Sequence, residues 1–232
     1  MTRSPVATVC CALALFCTAA CGGSSSPTTS VPDAQALLQR VVLQAADIGP
    51  GVTQERAAAQ TDDELATARP DSENARAQYA AWGQMLEYNV QYSAPIDSDL
   101  VFNGKIARVM NTATLFASAD GAAAALAYTR GLSASTVANF LVNDGAGAKI
   151  TGTQVVKDIV FPAKGDESFV WRLTGKATFA DGLTVTFVAD AVFVRTGRVN
   201  GNVTAVAFGQ APKRDEVAAL VDKFVERAKA NG

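Results

Sequence analysis

The sequence predicts an α+β domain. Its antiparallel β-sheet has five or six strands, ends in a C-terminal three-stranded meander and is flanked by helices. Two observations predict it. From Phe169 to Phe179 and from Leu183 to Phe193, apolar and other residues alternate at the period of a half-buried strand, with Ala180-Asp181-Gly182 between the runs. After Pro212, the side chains of Val217, Leu220, Val221, Phe224, Val225 and Ala228 form one apolar stripe at helical spacing, with charges elsewhere.

The chain begins with an export leader. Arg3 precedes an apolar run from Val6 to Ala20, about 15 residues and shorter than the roughly 20 a bilayer span needs. All four cysteines lie in the first 21 residues, and the last closes the string Thr18-Ala19-Ala20-Cys21. Gly22 to Ser30 is a Gly/Ser-rich tether. This arrangement resembles the signal and lipobox of bacterial lipoproteins. The resemblance implies a lipid on Cys21 as first residue of the mature chain, which would sit on the outer face of the cytoplasmic membrane. Thr18 and Ala20 are also small enough for an ordinary signal peptidase, so simple secretion is the alternative. The expected division is a signal peptide over 1–20, a lipidated cysteine and tether over 21–32, and a single domain over 33–232.

Within that domain, Asp33 to Ile48 carries Leu37, Leu38, Val41, Val42 and Ala45 at helical spacing, and Gly49-Pro50-Gly51 stops it. Its second half reads alternatively as a turn. Residues 52–70 are polar and alanine-rich with no apolar face, which predicts a surface stretch. Asp71 to Leu86 predicts a helix with Ala75, Tyr79, Trp82 and Leu86 on one stripe. Alternation then takes over, with Leu86, Tyr88, Val90 and Tyr92 on one strand face. Asn103-Gly104 signals a turn. Lys105 to Ala117 predicts a strand with Val109, Ala113 and Leu115 on one side. Ser118 or Asp120 caps an alanine-rich helix expected to run past Gly131 to Leu141, where Asn143 to Gly147 breaks it.

The meander's register follows from its apolar rows. A two-residue Asp181-Gly182 turn would set polar residues opposite the core row; a three-residue loop pairs Phe179 with Leu183 and keeps every apolar residue on one face. The same test at Arg195-Thr196-Gly197 pairs Phe193 with Val199, Ala191 with Gly201 and Ala189 with Val203. That register puts the final helix on the odd-numbered face. It lines Arg172, Asp190 and Asn202 into one row on the other face, either a solvated cross-strand ion pair or a polar floor for a ligand or partner.

Composition narrows the function. Histidine is absent, which removes Ser-His-Asp and Cys-His machinery and the usual zinc sites. The formal net charge of −2 argues against a nucleic-acid partner. No cysteine follows Cys21, so packing alone must hold the domain. Gly145-Ala146-Gly147-Ala148-Lys149 lacks the ending of a phosphate loop, and Asp97-Ser98-Asp99 lacks the next calcium ligand, at Val101. Asp97, Asp99, Asp166 and Glu167 read as loop acids or as a pair brought together in space. The aromatic residues Tyr79, Trp82, Tyr88, Tyr92 and Trp171 are either core or the lining of a pocket between helix and sheet, with Trp82, Tyr88 and Trp171 the leading candidates. No catalytic residue, metal or cofactor is indicated.

Gly165-Asp166-Glu167-Ser168 and Val192 to Val199, with its Arg195-Thr196-Gly197-Arg198 hairpin, resemble a group of bacterial, largely actinobacterial, lipoproteins and exported domains of unassigned function. A fainter similarity is to the extracellular sensor domains of PknH-type mycobacterial kinases and to PsbP-like lipoproteins. The resemblance covers roughly residues 100–230. It implies an antiparallel sheet with helices against it and a non-catalytic role binding a small molecule, a lipid or a protein at the cell envelope. A carboxylate-dependent envelope enzyme and an assembly factor without a pocket are the rival readings. The enzyme requires two acids about 5–9.5 Å apart, and the assembly factor an exposed apolar patch.

Overall fold

The structure, a computed structural model, describes residues 29–95, 104–136 and 148–231. The expected leader, Cys21, most of the expected tether, Asp97, Asp99 and the expected breaker at Asn143 to Gly147 lie outside these residues. The elements run α1 (Val31–Val41), α2 (Ala45–Ile48), β1 (Thr53–Gln60), α3 (Asp62–Thr67), α4 (Ser72–Trp82), β2 (Gln84–Ser93) and β3 (Ile106–Phe116). They continue with α5 (Ala119–Gly131), β4 (Lys149–Lys157), β5 (Glu167–Thr178), β6 (Thr184–Thr196), β7 (Val199–Phe208) and α6 (Arg214–Asn231).

The expectation of five or six strands with a C-terminal meander is corrected. The strands form one seven-stranded antiparallel sheet, in the order β1-β2-β3-β7-β6-β5-β4, and the last strand of the chain lies at its centre against β3. The two strands missing from the sequence reading are β1 and β4, the sheet's edges. An edge strand has little apolar alternation to show. β1 is Thr-Gln-Glu-Arg-Ala-Ala-Ala-Gln, and exposed charge on an edge blunts pairing with other chains. β4 carries Gly152 and a register shift between Thr151 and Gln154 that interrupts its period. Residues 62–67, read as surface, form α3. The capping box that starts it was legible: Thr61 N–H donates to Glu64 Oε2 at 2.8 Å, and Glu64 N–H donates to Thr61 Oγ1 at 3.4 Å.

Helix boundaries shift for local reasons. Val41, Val42 and Leu43 are all fully buried, and three consecutive residues cannot share one helix face. The chain therefore leaves α1 at an extended Val42 and restarts as α2. The freed backbone of Leu43 is taken up by the sheet: its N–H donates to Asn111 Oδ1 at 2.8 Å, and its carbonyl accepts from the Tyr92 hydroxyl at 3.0 Å. Burial pushes the Tyr92 hydroxyl above its ordinary pKa. α4 stops at Gly83, and Leu86 belongs to β2. Ser118 caps α5, which ends at Gly131.

The sheet is covered on both faces. On one, the rear, α1 and α6 pack over Leu86, Tyr88, Val90 and Tyr92 of β2, Val109, Ala113 and Leu115 of β3, and Val192 and Val194 of β6. On the other, the front, α4 and α5 cover Phe116 and the β5–β6 aromatic residues.

The β5–β6 register has Phe169 opposite Phe193 and Thr178 opposite Thr184, with the three-residue loop expected. The β6–β7 register does not follow. Thr196 pairs with Val199, Phe193 with Asn202 and Val192 with Val203, around a two-residue turn of Gly197 and Arg198. Gly197 has φ 57°, the positive value a type II′ turn requires at its first central position. Because both faces are covered, β6 is buried along either row, and the rule of one apolar face loses its power to choose. Consequently α6 packs on the even-numbered residues of β5 and β6 and on the odd-numbered residues of β7 alone, correcting the expected odd face.

Phe224 of α6 is fully buried, and that burial contributes about 1.5–3 kcal/mol. It is possible because a Cβ on Gly201 would stand 2.2 Å from the Phe224 ring. Gly201→Ala is therefore expected to destabilise the fold by about 1–3 kcal/mol through overpacking, read as a lower urea midpoint. Gly131→Ala, where nothing lies within 4 Å, should leave the midpoint unchanged or raise it.

Candidate functional site

The front face divides into two chemistries. Across β3 and β7, Thr114 pairs with Asn200, Thr112 with Asn202 and Met110 with Thr204, giving a polar floor. Across β6 and β5 the same face carries Phe193, Phe169 and Trp171. Phe193 stacks on Phe169 at 4.8 Å between centroids and meets Trp171 edge-on at 4.7 Å. The Lys157 ammonium lies 5.1 Å from the Trp171 ring centre while donating to the carbonyls of Arg130 and Leu132, each at 2.7 Å. It thereby closes the C-terminus of α5 over the aromatic group.

α4 and α5 roof this floor. Their approach depends on Gly121, where a Cβ would stand 1.9 Å from the Trp82 carbonyl. Trp82 lies 5.2 Å from Tyr128 of α5 and 6.1 Å from Tyr79, centroid to centroid. Between roof and floor is a cavity of about 290 Å³, walled by Trp82, Tyr128, Phe116, Leu126, Trp171 and Phe193 and floored by the Thr/Asn rows.

Its polar groups are incompletely satisfied. Asn200 Nδ2 donates to the Ala122 carbonyl at 2.7 Å, and Thr204 Oγ1 donates to Asn202 Oδ1 at 2.7 Å. Trp171 Nε1, Asn202 Nδ2 and Asn200 Oδ1 are buried without a partner. The same holds for Asp62 Oδ1, Arg195 Nε and Thr196 Oγ1, whose residues do not line the cavity.

Charge is confined to the rim and floor edge. Arg69 is held by Asp71, Nε to Oδ1 at 3.0 Å and Nη2 to Oδ2 at 3.3 Å, which raises its pKa further above the ordinary arginine value. Glu87, the one carboxylate among the described lining residues, accepts from Thr114 Oγ1 at 3.4 Å. Beside the lining residue Gln84 stands Asp62 of α3. Burial pushes its carboxyl up to about 6, with Asp63 adding to the shift and the Gln84 hydrogen bond opposing it.

The residues singled out from the sequence separate between the faces. Trp82, Trp171 and Tyr79 line the cavity. Tyr88 and Tyr92 are rear core. Asn202 also lines the cavity, because the two-residue turn rotates it away from the row in which it was expected. Arg172 and Asp190 do pair, Nε to Oδ1 at 2.6 Å and Nη2 to Oδ2 at 2.7 Å, but on the rear face with Ala205 next to Asp190 in β7. The Asp190 hydrogen bond raises the Arg172 pKa. Asp166 holds the β6–β7 turn: its Oδ2 accepts from Gly197 N–H at 2.7 Å and from Arg195 Nη1 at 3.2 Å. The Gly-Asp-Glu and Arg-x-Gly-Arg strings are thus one structural unit.

The sequence did not single out Thr112, Thr114, Phe193 or Tyr128 as site residues. The even row of β3 was visible as polar alternation, but only the β7 parity brings Asn200 and Asn202 beside it. Among the described residues no group of three or more Asp, Glu, Cys or His is placed to hold a metal ion.

No family model matches the chain, and no curated protein matches it. Among solved structures it is similar to the extracellular domain of PknH from Mycobacterium tuberculosis, at 13% identity and a TM-score of 0.48 over 84% of this chain and 96% of that one.

Two expectations follow from the charges. Asp190 has 3% of its side chain exposed and Arg172 has 33%, so Arg172→Ala strands a buried carboxylate. It should destabilise by about 3 kcal/mol in urea titration, and the Arg172→Ala/Asp190→Ala double variant should recover part of that. The raised carboxyl of Asp62 means that the folded state binds more protons than the unfolded between pH 3.8 and about 6, so stability falls as pH rises through that window. Asp62→Asn should stabilise at about pH 8 by about 1–2 kcal/mol, discounted for partial exposure, and by nothing below about pH 4.

Proposed function

We propose that this chain is an exported, non-enzymatic binding protein, held at the outer face of the cytoplasmic membrane through a lipid on Cys21, and that the front cavity is its ligand site. One observation carries the site. On the rear face the buried amide of Asn111 is bonded at both ends, to Leu43 N–H and to the Asn202 carbonyl at 2.9 Å. On the front face a volume of about 290 Å³ stays open between the aromatic side chains of α4 and α5 and the Thr/Asn rows of β3 and β7. A volume of about 290 Å³ is at the lower end of the range of small-molecule sites, so the reading favours a small ligand over a lipid or protein chain. The leader and tether support export and anchoring. Among the described residues no helix is long and apolar enough to cross a membrane.

The carboxylate-enzyme reading needs a pair of acids at the cavity; among the described residues Glu87 is the lining carboxylate, and Asp62 stands beside the lining residue Gln84. The assembly-factor reading needs a contiguous apolar patch. Among the described residues the large exposed apolar side chains are Val31 on α1, Tyr128 on α5, Val156 on β4, Val160 just after β4 and Leu183 in the β5–β6 loop.

Mass spectrometry of the full chain, exported through its own leader, tests the proposal under native and then denaturing conditions. Extra mass confined to the native spectrum is expected, together with diacylglycerol on Cys21 in both spectra. Identical unliganded masses under both conditions would sink a tightly held ligand, and a cleaved chain without lipid would sink the anchor.

A further inference from the structure

Resting on the reading of the front cavity as a binding site, we infer that α3 is its proton-controlled wall. The helix is seated on β2 while the Asp62 carboxyl carries its proton, and it opens more often once that carboxyl ionises.

The inner face of α3 holds that carboxyl. Asp62, Leu65 and Ala66 recur at the spacing of one helix face. Ala66 is fully buried, Leu65 lines the cavity, and Asp62 Oδ1 is buried without a partner. The outer face carries Asp63 and Glu64, both exposed. A neutral carboxyl can be seated against β2 at modest cost, whereas an ionised one without a partner loses its hydration there. Burial accordingly displaces the Asp62 carboxyl towards its neutral form, up to about 6.

The charges around α3 are committed elsewhere. From α4, Arg76 donates to Asp63 Oδ1 and to Thr67 Oγ1, each at 2.9 Å, and Glu73 is exposed. Past the end of α3, Arg69 is held by both oxygens of Asp71. From β2, Gln84 stands beside Asp62, and Glu87 accepts from Thr114. On α3 itself Asp63 adds to the repulsion, and Glu64 closes the capping box with Thr61. That box holds the Glu64 carboxyl below its ordinary 4.5, so it ionises at lower pH than Asp62 does.

A charge at this place moves α3 before it moves the domain. The helix has six residues. Beyond Leu65 and Ala66 it is held by its capping box and the two Arg76 bonds, all at the surface. Segments with so few buried contacts open locally before the whole fold does. Opening uncovers the cavity's edge at Leu65 and Gln84. The seated carboxyl keeps its proton up to about pH 6, and the released one, in water, has its ordinary 3.8. Opening therefore becomes more frequent as pH rises through that interval and levels off above it. A difference of about two pH units is about a hundredfold in the opening equilibrium at most, which partial exposure of the side chain cuts to about tenfold.

Amide hydrogen exchange of the full chain from about pH 4.5 to about pH 7, corrected for the intrinsic rate, tests this at Leu65 and Ala68. Their N–H groups donate to the Thr61 and Glu64 carbonyls at 3.0 and 3.2 Å. Their protection should lie below that of the α6 amides, ignore low urea as a local opening does, and fall about tenfold as pH rises. Asp62→Asn, uncharged at every pH, should hold the higher protection throughout, and Glu64→Gln should keep the natural chain's pH dependence. Entry is read separately through Trp82 and Trp171, the two tryptophans of the chain, both of which line the cavity. Their quenching by acrylamide, which is uncharged, should rise over the same interval in the natural chain and stay level in Asp62→Asn. Protection that ignores pH, or keeps its pH dependence in Asp62→Asn, would overturn the proton control. Protection equal to that of α6 and equally urea-dependent would mean that α3 leaves only with the whole fold, and would overturn it too. Level quenching while α3 opens would overturn its part as a wall. A retained native mass with α3 indifferent to pH would sink the proton control alone. An unliganded native mass with α3 responding to Asp62 would sink the binding site and leave the moving helix standing.

Discussion

The two-residue turn at Gly197 and Arg198 is the constraint on which the rest of the molecule depends. Side chains alternate along a strand, so adding one residue to this loop would exchange the two faces of β7. With the observed turn, Val199, Val203 and Ala205 lie under α6, and Gly201 lies beneath Phe224. The same turn sends Asn200, Asn202 and Thr204 to the front. Asp166 fixes it from the bend that precedes β5 by accepting the Gly197 N–H, and Arg195 joins the same carboxylate. A charge-assisted hydrogen bond to a turn N–H restrains both its position and its orientation.

The two faces it creates are stabilised differently. The rear is an apolar core, with valine, leucine and phenylalanine from two helices set on the strands. Its polar groups are few, and the central ones are spent on architecture. Asn111 joins the α1–α2 break to the backbone of β7, and the Arg172–Asp190 pair closes on itself beyond the helices. The front carries less apolar area on β3 and β7 and more hydrogen-bonding groups, roofed by two short helices held by Gly121 and the Lys157 cap. A polar floor under an aromatic roof cannot close as a core does, because neither surface satisfies the other. The cavity is the physical consequence of that mismatch.

Much of the fold was legible where one residue's chemistry sufficed. The stripe from Val217 to Ala228, the Ser118 cap, the Leu86 to Tyr92 face and the three-residue Ala180-Asp181-Gly182 loop each follow from local periodicity or turn chemistry, and each stands in the structure. The edge strands β1 and β4 were not legible, because half of their definition is the neighbour they pair with. Of the site, Trp82 and Trp171 could be named from their type. Tyr88, equally aromatic, belongs to the opposite face.

The sequence by itself therefore determined the elements that carry their own signal: amphipathic helices, alternating strands, and a chain without histidine. Only the tertiary structure decided which alternating row faces which helix. Both rows of β6 are apolar enough to be buried, so local hydrophobicity could not choose between registers. That choice was made by the geometry of one turn and by the fit of Phe224 over Gly201, an interaction between residues 23 positions apart in the chain whose signal appears only when strand and helix are packed together.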